Sequence, residues 1–120
     1  MANIQDALQG IERGSDPLFP YAPPDWRREA ALDTARHEQL TLGDDHWVVV
    51  RGLQEFFARH EYGAVNLREL HDALDEKFHH KGGMKYLYTL LPGGPIAQGC
   101  RLAGLKPPAG ATDPSFGSVA

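Results

Sequence analysis

Apolar residues recur at helical spacing through most of the middle of this chain. Trp47, Val50, Leu53 and Phe57, with Val49 and Phe56 beside them, return every three or four positions, the period of a one-sided helix. Thr41 with Asp44 three positions on resembles a capping box, so this helix is expected to start after Thr41 and to stop near Gly63, which suits a left-handed turn. Asn66 with Glu69 opens a second helix, whose Leu67, Leu70, Leu74 and Phe78 form one stripe ending at Gly82 and Gly83. Met84, Leu87, Tyr88 and Leu91 mark a third helix, ended by Pro92. Pro95 starts a fourth, with Ile96, Gly99, Cys100 and Ala103 on it and Gly104 as its C-terminal cap. Trp47, Leu53, Phe57, Leu70 and Leu74 are the expected core.

The two ends read differently. The first two dozen residues have weak periodicity, suggesting a short helix followed by an extended arm, because Pro17, Pro20, Pro23 and Pro24 each fix φ and remove a donor. Asp25 can then cap a helix from Trp26 to His37, with Trp26, Ala30 and Ala31 on one side. After Leu105 the run KPPAGATDPSFGSVA cannot continue a helix and reads as a mobile tail. The expected organisation is an N-terminal arm over 1–24, a helical domain over 25–106 and a flexible arm and tail over 107–120. The fold class is mainly α, a small orthogonal helical bundle with no persuasive alternating strand. EYGAV between the helices from Thr41 and Asn66 also allows a helix-turn-helix-like pair.

Length and charge narrow the function classes. A chain of 120 residues suits one domain. No apolar run approaches the ~20 residues a bilayer-spanning helix needs, and no signal architecture opens the chain, so a cytoplasmic location is the expectation. The net charge of −4 is unevenly distributed: residues 1–76 hold seven Lys/Arg against fifteen Asp/Glu, and residues 77–120 hold five against one. Such a split marks either an anion-seeking surface or scattered solvated charge. Arg68, His71 and Lys77 on the second helix stand among Glu69, Asp72, Asp75 and Glu76, acids that phosphates would repel, which disfavours a nucleic-acid partner.

Other chemistries find little support. His37, His46, His60, His71, His79 and His80 lack the H-x-x-x-H or H-x-H spacing that aims two rings at one ion, so neither metal nor cofactor is expected. Asp44/Asp45 and Asp75/Glu76 read as capping and solvated carboxylates, and Gly93–Gly94 lacks the Lys-Ser/Thr of a phosphate loop. Cys100 is the single cysteine, so no intramolecular disulfide can form; it is either a small core residue or a chemically used thiol. Arg101 and Lys106 favour its thiolate, while apolar neighbours on the same side oppose it. Shielding is expected to prevail while the arm lies over it.

The run YLYTLLPGGPIAQGCRLAGLKPPAG, Tyr86 to Gly110, resembles the C-terminal signature of the DsrC/TusE sulfur-carrier family. APPDW, Ala22 to Trp26, and LTLGDDHWVVVRGLQEFFARHEYG, Leu40 to Gly63, extend the likeness over roughly residues 22–111. The resemblance implies a small helical domain with a helix-turn-helix-like pair, a short N-terminal hairpin and a flexible C-terminal arm. It also implies persulfide chemistry in sulfur relay, for dissimilatory sulfur metabolism or tRNA thiolation, with a sulfite reductase or a TusBCD/DsrEFH-type sulfurtransferase as partner. Cys100 matches the family's helix cysteine and is the candidate sulfur-binding thiol; Arg101, Lys106 and Lys85 are candidate partner or anion contacts. The arm cysteine's position holds Ala111, and nine residues follow it. A methyl group neither bears sulfur nor attacks a disulfide. A paralogue with a changed role, a carrier using Cys100 alone and a carrier with alanine substituted at 111 are the alternatives. The extension favours the paralogue, and a non-carrier adaptor or regulator, DNA-binding through the helix pair, is the second functional reading.

Overall fold

A computed structural model of the chain describes residues 16–60 and 65–108. These form five α-helices and one short 3₁₀ turn: α1 (Arg28–His37), α2 (Asp44–Arg59), α3 (Leu67–Lys77), the 3₁₀ turn (His79–Lys81), α4 (Gly83–Leu90) and α5 (Pro95–Ala103). No strand occurs among the described residues. The chain is a small helical bundle, as the periodicity implies.

The last helix is the innermost. Every residue of α5 except Arg101 is buried, and α1 and α2 pack along its length. Gly99 permits the close approach: a Cβ there would stand 2.7 Å from Leu53 Cδ1 and 3.3 Å from Val49 Cγ1. Val49, Val50 and Leu53 of α2, Ala31 and Ala35 of α1, and Leu87 and Leu91 around α4 complete the core with Ile96, Cys100, Leu102 and Ala103.

Several expected boundaries shift. Trp26 lies ahead of α1 because its backbone N–H closes a turn on Pro23 O at 3.0 Å, while its indole Nε1 donates to Leu102 O at 2.7 Å. Arg27, not Asp25, takes the N-cap position, without a side-chain cap, and Ala35 rather than Ala30 joins Ala31 on the buried side. The capping box expected of Thr41 and Asp44 is replaced by one bond: Gly43 N donates to His46 Nδ1 at 3.0 Å. His46 Nε2 also meets Leu90 O at 2.9 Å, a pair that one tautomer, protonated on Nε2, satisfies. α2 ends at Arg59, short of Gly63, which lies outside the described residues, as does most of EYGAV.

The buried face of α2 is also rotated from the expected stripe. Trp47 and Phe57 are half-buried, and the centre is Val49, Val50, Leu53 and Gln54. Leu70 and Leu74 are buried as expected, below an N-cap in which Asn66 Oδ1 accepts from Glu69 N at 3.0 Å. α3 stops at Lys77, before the glycine pair, and the 3₁₀ turn intervenes. Asp75 Oδ1 then accepts from Met84 N at 2.8 Å and caps α4. Gly83 adopts φ +63 there, and a Cβ would collide with that carboxylate. Tyr88 faces solvent at 54% exposure, leaving Leu87 and Leu91 to fill the core.

Residues 16–24 are not an extended arm. Successive turns fold them onto the bundle, burying Phe19 and Ala22. Phe19 packs against Trp26 and Trp47 with ring centroids 5.0 and 5.7 Å away, and Asp16 pairs with Arg28. The N-terminal hairpin implied by resemblance falls largely in residues 1–15, outside the described residues; residues 16–21 are turns.

These placements predict unequal responses at two positions of the expected stripes. Leu70→Ala should cost about 2–5 kcal/mol, because a buried side chain leaves a cavity. Tyr88→Ala should stay within about 0.5 kcal/mol, the range of exposed substitutions. Urea melts of the two variants check both values.

Candidate functional site

The candidate thiol is built into the interior. Cys100 sits mid-way along α5 with no exposed surface. Ile96 lies one turn before it and Ala103 one turn after, both buried, so helix periodicity alone turns the Sγ side inward. Burial pushes the thiol up to about 12 against the opposing, smaller effect of the Arg101 charge. At neutral pH the thiolate is then on the order of one part in 10⁵. Helix packing alone lets shielding outweigh the cations; the arm expected to lie over Cys100 falls largely outside the described residues.

Arg101 points outward and is already engaged. Its Nε and Nη2 donate to the two oxygens of Glu38 at 2.7 and 2.9 Å, a bidentate pair. Gln98 Nε2 donates to the same carboxylate at 2.8 Å, and Gln98 Oε1 accepts from Gly93 N at 2.9 Å. One acid at the end of α1 therefore clasps α5 and, through Gln98, the turn that enters it. Gly94 in that turn takes φ +101, a region glycine adopts without strain.

The far end of α5 is held as well. Trp26 Nε1 bonds to Leu102 O, Gln54 Nε2 donates to Ala103 O at 3.1 Å, and Leu105 N donates to Cys100 O at 2.8 Å around left-handed Gly104. A Cβ on Gly104 would stand 2.8 Å from the Trp26 ring. These bonds satisfy carbonyls that a helix end otherwise leaves open.

The remaining candidates do not converge on the thiol. Lys85 is exposed on α4 and Lys106 is exposed beyond Gly104; neither has an ion-pair partner among the described residues. Ala111 lies outside the described residues. Sequence spacing missed Glu38, whose partner is 63 positions away, and it missed Trp26 and Gln54 as bonds to α5. Gln98 stood in the quoted signature but carried no assigned role. Among the described residues no cluster of three or more His, Cys, Asp or Glu is placed to hold a metal ion, and no helix is long and apolar enough to cross a membrane.

A buried helix with a single thiol, clasped at both ends inside a small bundle, is the setting in which the sequence comparisons acquire meaning. The family model described as DsrC like protein matches residues 16–111, from the Asp16–Arg28 pair to Ala111. The chain belongs to this family. It is 38% identical over 85 residues to Sulfurtransferase TusE of Photorhabdus laumondii subsp. laumondii, covering 70% of this chain and 76% of that protein. Sulfurtransferase TusE of Escherichia coli K12 is 36% identical over 84 residues, and that of Salmonella typhimurium LT2 is 37% identical over 84 residues. Each of these two matches covers 69% of this chain and 76% of the relative. No solved structure matches the chain.

The Glu38 clasp has a pH signature. Hydrogen bonds from Arg101 foremost, then Gln98, hold the Glu38 carboxyl below its ordinary 4.5 despite partial burial. A group depressed in the folded state contributes stability above its unfolded value and loses it as pH falls through the folded value. Glu38→Gln should therefore lose no more than about 1 kcal/mol at pH 7, and its melting temperature should fall less steeply than the parent's below pH 4.5. Thermal melts from pH 7 to pH 3 compare the two slopes.

Proposed function

We propose that this chain acts in sulfur relay through protein–protein contacts, with a TusBCD/DsrEFH-type sulfurtransferase as its partner class. The match of residues 16–111 to the DsrC family, running through the whole of α5, carries this reading. Cys100 is the only side chain on the chain able to hold sulfane sulfur. In such a step its thiolate attacks the outer sulfur of a donor persulfide, the donor's thiolate leaves, and the proton of Cys100 passes to solvent or the donor. Fully buried and held as a thiol, Cys100 takes part only after a docked protein parts α5 from its neighbours. Arg101, already paired with Glu38, is then a locking residue, and Lys85 and Lys106, exposed and without an ion-pair partner among the described residues, are cations available for partner contact.

A second reading has its own support: burial of Cys100 and alanine at 111 suit an adaptor that docks to relay partners without taking sulfur. Binding to a purified TusBCD-type complex, followed by intact mass, separates the readings. The relay reading predicts one added sulfur on Cys100 with a persulfidated protein donor and none with free polysulfide. Binding without added sulfur selects the adaptor. No binding and no added sulfur would overturn both.

A further inference from the structure

The bonds that hold α5 differ in kind at its two ends. Those at the carboxyl end, from Trp26 Nε1 to Leu102 O and from Gln54 Nε2 to Ala103 O, are buried. Those toward the amino end meet at Glu38: Gln98 and Arg101 both donate to it, and the same Gln98 side chain accepts from Gly93 N in the entering turn. The Glu38 side chain is 22% exposed and that of Arg101 46%, so water and a docked protein reach this carboxylate. A hydrogen bond in contact with water is exchanged for water at little cost, whereas a buried carbonyl stripped of its donor is left unsatisfied. The amino end is therefore the weaker hold on α5, and it hangs on one side chain.

The backbone next to that side chain is strained. α1 ends in a Schellman motif, with Leu40 N bonded to Ala35 O at 2.8 Å and Gln39 N to Arg36 O at 3.2 Å. The residue that turns left-handed in this motif is usually glycine; here it is Gln39, at φ +59. It is the only non-glycine residue with positive φ among the described residues, and L-residues resist that region. Such strain persists where the surrounding structure over-determines it. On one side of Gln39, Leu40 packs against the core; on the other, Glu38 is held by α5.

We propose that Glu38 is the latch of α5: while its carboxylate holds Arg101 and Gln98 the thiol of Cys100 stays enclosed, and its release lets α5 part from α1 and uncovers Cys100. Cys100 stands between the two latched residues in sequence and is fully buried. Moving this stretch of α5 away from α1 carries both side chains off Glu38. Glu38 is thus a positioning residue, which touches no sulfur and acts through Arg101 and Gln98. Its use in sulfur transfer rests on the relay reading; the latch itself belongs to the closed fold and is tested without a sulfur donor.

The experiment is the rate of Cys100 alkylation by iodoacetamide at neutral pH, without denaturant, in the full-length parent, Glu38→Ala and Asp45→Asn. Asp45→Asn disrupts a comparable polar contact away from α5, where Asp45 accepts from Lys81 Nζ at 2.9 Å and from Tyr86 Oη. Urea melts place both variants on one scale of stability. The latch predicts about fivefold faster alkylation in Glu38→Ala, the equilibrium factor for losing a contact of this class, and the parent's rate in Asp45→Asn. A Glu38→Ala rate equal to the parent's overturns it. So does acceleration that follows the loss of stability alike in both variants, because unfolding of the whole bundle would then be what exposes the thiol. Incubation of Glu38→Ala with a persulfidated protein donor separates the two claims: faster alkylation without added sulfur upholds the latch and counts against the relay reading alone.

Discussion

The contact at Gly99 is the constraint on which the bundle depends. Helices with ordinary side chains keep their axes about 8–10 Å apart, and here a hydrogen in place of a methyl group lets α5 settle against Leu53 and Val49. With α5 in the centre, eight of its nine residues leave water, and the other elements become its walls. Buried helix ends require partners for their open backbone groups. The structure supplies them from far in sequence: Trp26 and Gln54 at the carboxyl end, and Gln98 with Glu38 around the entering turn.

That placement determines the chemistry of the only thiol. A neighbouring guanidinium normally lowers a cysteine's pKa, and Arg101 is the next residue. Desolvation nevertheless dominates, because Arg101 leans to the surface and spends its donors on Glu38. The position that would hold sulfane sulfur in a relay is therefore chemically quiet in the closed bundle. The family scaffold here carries its single thiol fully buried and an alanine at position 111.

The helices were legible where a single stripe or a strong terminator marked them. α5 was bounded by Pro95 and Gly104, and α3 showed one clean row of leucines under the Asn66 cap. The facing of α2 was not legible, because Trp47, Val49, Val50, Leu53, Phe56 and Phe57 span more than one face and only packing against Gly99 selects among them. Residues 16–24 misled through their prolines: these forbid a helix, but they do not prevent tight turns, and Phe19 and Ala22 are drawn into the core. At the site, the signature around Cys100 revealed the family and its periodicity gave the inward facing. The Glu38 clasp left no local trace, since its ends are joined only by the tertiary fold.

Burial of α5 at the core of the bundle is what should keep Cys100 silent. Its most direct test compares the alkylation rate of Cys100 by iodoacetamide at neutral pH with hydrogen exchange of the α5 amides, in increasing urea below the unfolding transition. Exchange reports the free energy of opening. The thiol should react only through the openings that release the α5 amides, so both rates rise together with urea. Alkylation at the rate of a free thiol while the α5 amides remain protected would contradict it.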